Sequence, residues 1–435
     1  MKISFYTFGC LINSYETQKL KDIFIKHGDE IAEDIDSDAV IINSCAVTSS
    51  AEKNVQRLIA RLKKKNYSRI IAVIGCYGEM LRKNEKTYLP DVDILLGNNK
   101  LDICEKIHAY AHERGQVLEF APCPTQPIEL SQLSHLSQLS FSGFVQVQNG
   151  CDNRCSFCIV PHLRGNSVSR PPQEIRRELQ DMAEQGCREI ALAGLNIGLY
   201  EKDGYDLLNI LQMADEIQGI ERIRLSSLEP MDANSNFIEE FNKIEKLVSH
   251  FHIPLQSGSN RILKQMNRNY SFEDYLSAIT KIREKMPGIA ITTDIIVGFP
   301  GETEEDFQES MKNIIRCEFS DIHIFKYSIR KGTPAALMSN QITEHEKTSR
   351  ADLLKGIKWQ TKYNYNYSFL GQIEEASLFK PVKSSEKVCW EGVTKHNIKV
   401  LVQNENSWLN LNGKLNVRIT GISADHEILI GDIVS

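Results

Sequence analysis

Cys151, Cys155 and Cys158 stand in one run, Cys-Asp-Asn-Arg-Cys-Ser-Phe-Cys, soon after the apolar stretch Phe144-Val-Gln-Val147. Three thiolates on one short loop can ligate three irons of a [4Fe–4S] cube and leave the fourth iron open to a small molecule. The spacing therefore points to chemistry on a cluster. Zinc is the alternative: His162 follows closely enough to complete a tetrahedron, although structural zinc sites more often use two separated cysteine pairs. A disulfide framework fits less well. The chain has 435 residues, long enough to bury a core without staples, and its 11 cysteines are an odd number. The N-terminus enters a strand pattern at once and shows no secretion signal, so a reducing cytoplasm is expected.

Three further cysteines acquire meaning from the elements that carry them. Residues 1–120 alternate short apolar runs with helical patterns: strands at Ile3–Phe8, Ala39–Asn43, Arg69–Gly75 and Asp93–Leu96, and helices near Ser14–His27, Ser49–Lys65, from Glu79, and at Leu101–Arg114. Such alternation predicts a doubly wound α/β sheet. Cys10, Cys45 and Cys76 each fall just past a strand, hence at the carboxyl edge where such sheets bind ligands. They could be small buried hydrophobes, as free cysteines often are. Their common placement favours a second three-cysteine cluster site.

Residues 143–370 repeat strand and helix on a larger scale, with strands at Phe144–Gln148, Glu189–Ala193, Arg222–Ser226, Phe251–Pro254, Ala290–Val297 and Ile322–Tyr327. Helices such as Pro172–Gln185 and Ser271–Lys285 lie between them. About six β/α units predict a partial (β/α)6 barrel with its site at the carboxyl ends of the strands. Polar groups collect there: Gly194 with Asn196, Ser226 to Glu229, Gln256 to Gly258, and Asp294 before Gly298–Glu302. Together they describe a pocket for a polar ligand.

Segment 121–142 is rich in Pro, Ser and Gln and reads as a linker; its Cys123 has no partner spacing. Residues 371–435 hold five short β-like runs, Gly371–Phe379, Lys387–Thr394, Ile398–Gln403, Lys414–Ile422 and Glu427–Val434, which predict a small barrel of the OB type. Phe379, Trp390 and Trp408 could stack on bases, but core packing is the favoured reading for at least two of them. Cys389, Cys104, Cys187 and Cys317 read as structural.

The net charge of −6 neither requires nor excludes nucleic acid. Segment 51–69 is locally basic, with seven Lys/Arg against one Glu. Val55, Leu58, Ile59 and Leu62 form its buried stripe, leaving Arg57, Arg61, Lys64 and Lys65 for solvent or RNA. No apolar run approaches the roughly 20 residues a membrane helix needs.

These residues resemble the radical S-adenosylmethionine methylthiotransferases. Cys-Asp-Asn-Arg-Cys-Ser-Phe-Cys is similar to their radical-cluster motif. Phe8-Gly-Cys10-Leu-Ile-Asn13-Ser, with Cys45 and Cys76, is similar to their N-terminal auxiliary-cluster domain, and the last region resembles the TRAM RNA-binding domain. Asn13-Ser-Tyr15-Glu16-Thr17, Ala193–Tyr200, Leu225–Pro230 and Tyr327–Pro334 resemble the group acting on N6-threonylcarbamoyladenosine 37 of tRNA. Sister groups act on isopentenyladenosine or on a ribosomal-protein aspartate. Leu11-Ile12 and His162-Leu163 depart from the usual pattern.

The resemblance implies a transferase with two [4Fe–4S] clusters, one on Cys151, Cys155 and Cys158 and one on Cys10, Cys45 and Cys76. It also implies S-adenosylmethionine surrounded by Gly194, Asn196, Glu229, Gln256 and Asp294. One cluster would cleave S-adenosylmethionine to a 5′-deoxyadenosyl radical, and the other would carry the sulfur. The implied partners are a tRNA anticodon stem-loop, a flavodoxin- or ferredoxin-type electron donor and a sulfur source. The contrary reading, from another class, is a non-catalytic iron–sulfur RNA-binding redox sensor.

Overall fold

The computed structural model describes residues 1–32, 37–83, 89–113, 142–232, 235–383, 388–403 and 413–434. The Pro/Ser/Gln-rich segment, Cys123 and Trp408 lie outside the described residues, apart from Ser142. Two compact units are present. One comprises Met1–Ser226 and Ser328–Ala336, and the other Ser227–Tyr327 and Leu337–Ser435.

The first unit begins with β1 (Lys2–Thr7), α1 (Leu11–Lys26), β2 (Glu30–Ile31), β3 (Ala39–Ser44), α2 (Ser49–Lys65), β4 (Ile70–Gly75), α3 (Cys76–Lys83), β5 (Ile94–Leu95) and α4 (Ile103–Glu113). The strands form a parallel sheet of order β2-β1-β3-β4-β5, the doubly wound arrangement expected. β3 and β4 are buried along their whole lengths. Alternate residues feed opposite cores: Val40, Ile42, Ile71 and Val73 pack with α2, and Ala39, Ile41, Ala72 and Ile74 with α4. This double burial explains why both strands read as continuous apolar runs. α2 starts where its sequence signals it, with the Thr48 side chain accepting from Ala51 N–H, and ends on Lys63, Lys64 and Lys65 beside the negative end of the helix dipole.

The same unit continues through β6 (Ser142–Gln146), β7 (Gln148–Asn149), α5 (Val160–Arg164), β8 (Val168–Ser169), α6 (Pro172–Glu184), β9 (Glu189–Ala193), the hairpin of β10 (Glu201–Lys202) and β11 (Tyr205–Asp206), α7 (Leu207–Asp215) and β12 (Arg222–Leu225). β6, β9 and β12 pair in parallel, in that order. The run expected as one strand to Gln148 divides. β6 stays in the parallel sheet, and β7 turns aside to pair antiparallel with β8.

The second unit contains α8 (Ser235–Phe241), β13 (His250–His252), α9 (Asn260–Gln265), α10 (Phe272–Lys285), β14 (Ala290–Val297), α11 (Glu304–Arg316), β15 (Asp321–Lys326) and α12 (Glu344–Tyr367). β13, β14 and β15 are parallel neighbours in that order, the strand–helix alternation expected of this region. The chain then forms a closed barrel from β16 (Ile373–Lys383), β17 (Val388–Thr394), β18 (Lys399–Gln403), β19 (Gly413–Ile422) and β20 (Leu429–Ile433). Its order, β16-β17-β18-β20-β19, closes back on β16 and matches the OB-type expectation. Trp390 is buried in this barrel's core, whereas Phe379 is exposed.

Candidate active site

β1, β3 and β4 are adjacent and parallel, so their carboxyl ends bring Cys10, Cys45 and Cys76 together. The switch in strand order falls between β1 and β3, where ligands bind in such sheets. Cys10 caps α1, and its thiol donates to Asn13 Oδ1 at 3.3 Å. Burial pushes the Cys45 thiol up to about 12, and Cys76 and Cys10 add to the rise. Burial also raises Cys76, with Arg164 opposing. Gly75 sets the turn into Cys76 at a φ of +86°, and a Cβ there would lie 2.5 Å from Asn43 Oδ1.

The second trio is built locally. β7 and β8 close a hairpin around it, and Cys151 N–H donates to Gly165 O at 3.2 Å. Gly150 has a φ of +71°, and a Cβ there would meet Asn166 O at 1.8 Å, so only glycine fits. Within the loop Cys158 N–H donates to Cys155 O at 3.1 Å. All three cysteines are partly exposed, and no disulfide is formed among the described cysteines. The donor set at each place is three thiols, the chemistry of a three-thiolate iron–sulfur group.

The two trios share one compact unit, and a buried charge network runs between their elements. Arg164, the last residue of α5, donates from Nε to Cys76 Sγ at 3.0 Å. Its Nη1 and Nη2 donate to the two oxygens of Glu16, at 3.0 and 3.3 Å. Lys100 Nζ reaches Glu16 Oε2 at 2.6 Å. The Arg164, Glu16 and Lys100 side chains are 2%, 5% and 1% exposed, so solvent screens none of them. Burial pushes Glu16 up, but Arg164 and Lys100 outweigh it and hold the carboxyl at about 2. Two buried cations thus face one carboxylate. That surplus of positive charge beside Cys76 suits a three-thiolate cluster, which is net anionic.

Apolar packing fixes the same contact. Ile159 and Leu163 join the core of β3, β4 and α2, each contributing about 1.5–3 kcal/mol by burial. Tyr15 OH donates to Glu178 Oε2 at 3.3 Å, and Glu178 also pairs with Arg170 and Lys19, both at 2.7 Å. Tyr15 and Glu16 are therefore buried joints of the unit. The segment after β15 adds a clasp. Arg330 Nε donates to Val47 O at 3.1 Å, Arg330 pairs with Glu52, and Ala335 N–H donates to Ser156 O at 2.9 Å. One short segment thereby holds both the Cys45 loop and the Cys155–Cys158 loop.

Of the expected cofactor pocket, Gly194 and Asn196 belong to the first unit. Gln148 organises them. Its Oε1 accepts from Leu195 N–H at 2.8 Å and Asn196 N–H at 3.1 Å, while its Nε2 donates to Gly150 O at 2.7 Å. The Asn196 Oδ1 is buried and has no hydrogen-bond partner among the described residues. Glu229, Gln256 and Asp294 belong to the second unit. Glu229 pairs with Arg268. Burial, then Glu229, pushes the neighbouring Asp232 up to about 6. Gln256 sits at a φ of +69°, and its N–H donates to Asp294 O at 2.8 Å. Asp294 Oδ1 lies 3.3 Å from His252 Nε2, with the His323 ring alongside His252.

Residue types and spacing pointed to the six cysteines. No role was assigned to Gln148, Arg164, Arg330 or Lys100, because each has a deciding partner distant in sequence: Leu195 and Asn196, Cys76 and Glu16, Val47 and Glu52, and Glu16. The only local signal was the position of Arg164 close behind the cysteine run. On α2, Arg57, Arg61, Lys64 and Lys65 are exposed opposite a buried Val55, Leu58, Ile59 and Leu62 stripe.

Residues 145–314 match the radical SAM superfamily, and residues 2–97 match the family described as uncharacterized protein family UPF0004. The fold is similar to a radical S-adenosylmethionine methyltransferase, TsrM, from Kitasatospora setae, at a TM-score of 0.54 and 16% identity over 77% of each chain. Parallel-strand architecture and the three-cysteine loop define a radical S-adenosylmethionine protein. Among its relatives is the threonylcarbamoyladenosine tRNA methylthiotransferase MtaB of Bacillus subtilis, 34% identical over 92% of this chain and 90% of that protein. Another is the tRNA-2-methylthio-N(6)-dimethylallyladenosine synthase of Caldicellulosiruptor saccharolyticus, 35% identical over 98% of this chain and 91% of that protein. The chain belongs to the radical S-adenosylmethionine methylthiotransferase family.

Proposed function

We propose that this protein adds a methylthio group to C2 of N6-threonylcarbamoyladenosine at position 37 of tRNA, in the cytoplasm. The observation that carries the reading is the pair of three-cysteine sites in one compact unit, joined by Arg164. Cys151, Cys155 and Cys158 would hold one [4Fe–4S] cluster, and Cys10, Cys45 and Cys76 a second. Bound there with S-adenosylmethionine, the two clusters would supply a carbon radical and a transferable sulfur, chemistry that no side chain offers.

The chain's own residues supply positioning. Gln148 fixes the Gly194–Asn196 turn to the radical loop, and the unpartnered Asn196 Oδ1 offers S-adenosylmethionine an acceptor. In the second unit, Gln256, Asp294 and Glu229, the last paired with Arg268, are the further residues proposed for S-adenosylmethionine. The Arg330 clasp and the Arg164 network hold the two loops in fixed relation, which reactions between bound groups require. The C-terminal barrel and the basic face of α2 are the proposed contacts for the anticodon stem-loop, whose unpaired bases suit specific readout. A low-potential flavodoxin or ferredoxin and a sulfur donor would complete the cycle.

The threonylcarbamoyl substrate rests on the Asn13-Ser-Tyr15-Glu16-Thr17 signature and the MtaB relatives. Tyr15 and Glu16 are buried, so the signature would act through the packing of the unit and not by touching the base. Mass spectrometry of bulk tRNA from a deletion strain tests the assignment. Loss of the methylthio group from the threonylcarbamoyl nucleoside supports it. Retention there, with loss from the dimethylallyl nucleoside, would move the protein to the sister activity.

A further inference from the structure

We propose that Arg164 is a positioning residue which sets the reduction potential of the group bound by Cys10, Cys45 and Cys76, while tying that site to the radical loop. The proposal rests on the two-cluster reading above. One guanidinium touches Cys76 and the strand that leads into the radical loop: Nε donates to Cys76 Sγ at 3.0 Å, and Nη1 donates to Asn149 Oδ1 in β7 at 3.3 Å. The same fork grips both oxygens of Glu16 on α1, the helix that Cys10 caps. A planar guanidinium can satisfy these directions together, whereas an ammonium cannot.

Lys100 neutralises no part of Arg164; it shares Glu16 with it. The pair of cations therefore leaves positive charge facing the Cys76 sulfur in a place that water does not screen. A cation and an N–H donor beside a ligating sulfur favour the more negative, reduced state of a cluster and so raise its potential. Removing the donor should lower it.

The test uses the full-length chain with Cys151, Cys155 and Cys158 all changed to Ala, reconstituted anaerobically with iron and sulfide, so that only the first trio can load. The midpoint potential is followed by electron paramagnetic resonance. Arg164→Gln is expected to lower the reduced-to-oxidised ratio at fixed potential about tenfold, a shift of about 59 mV for one electron. Arg164→Lys, which keeps charge and loses the Nε–H bond, should shift it by less in the same direction. Unchanged midpoints in both variants overturn the proposal and leave two-cluster chemistry standing. If Arg164→Gln does not fold, an unshifted Arg164→Lys midpoint overturns it alone. A parent that binds no iron brings down the two-cluster reading and this proposal with it.

Discussion

Cys151, Cys155 and Cys158 are neighbours on one hairpin-closed loop, whereas Cys10, Cys45 and Cys76 meet only because β1, β3 and β4 lie side by side. The first arrangement is local and partly exposed. The second is tertiary, and Cys76 is buried. A local site needs one turn to be correct. A tertiary site needs the register of three strands and carries the loop-closure entropy of the chain between them. It is also the site beside which the protein places buried charge. The expected difference is robustness: the local trio should tolerate damage elsewhere that the tertiary trio does not.

Cysteine removal should have the largest effect and separates the two sites by what survives. Cys155→Ala should abolish 5′-deoxyadenosine formation in anaerobic assays with dithionite and S-adenosylmethionine. Cys45→Ala should leave that cleavage in place and abolish only the methylthio product. Equal loss of both activities in both variants would erase the division of labour.

Glu16→Gln comes next. It leaves Arg164 and Lys100 buried without their anion, which should cost about 3–5 kcal/mol of stability, read as a lowered denaturant midpoint under anaerobic conditions. A midpoint within error of wild type would mean that water reaches the network.

The glycines at the two sites allow a matched comparison. Gly75→Ala and Gly150→Ala each force a side chain into a left-handed backbone position, at about 1–3 kcal/mol, and into nearby atoms. Iron counts made with the opposite trio removed should fall for Gly75→Ala only at the strand-end site, and for Gly150→Ala only at the loop site. The smallest effects belong to Cys104→Ala and Cys317→Ala, both buried thiols that the sequence reads as structural. Iron per chain should not change, and stability should move by about 1 kcal/mol. A loss of iron would assign one of them as a ligand.

Much of the scaffold was legible because its elements are locally consistent. β3, β9 and β14 appear where their apolar runs place them, and α2 begins and ends at its own capping signals. α12 was missed, since its buried positions include Lys347, Arg350, Thr361 and Asn366, and polar residues at core positions hide the helical period. Arg350 is buried because it pairs with Glu302 at 2.6 Å, a partner invisible from local sequence. β2 was missed because two residues carry no period at all.

The residue order alone determined the thiol spacing of the radical loop, the strand-then-helix alternation and the placing of Cys10, Cys45 and Cys76 past strand ends, because these follow from chemistry and period within a few neighbouring residues. Only the tertiary structure decided that Arg164 meets Cys76 and Glu16, that Tyr15 and Glu16 are buried joints, and that Arg330 and Ala335 clasp both cysteine loops. Those contacts join residues far apart along the chain. A buried ion pair leaves no periodic trace in the sequence; it exists only where the fold removes water from both partners at once.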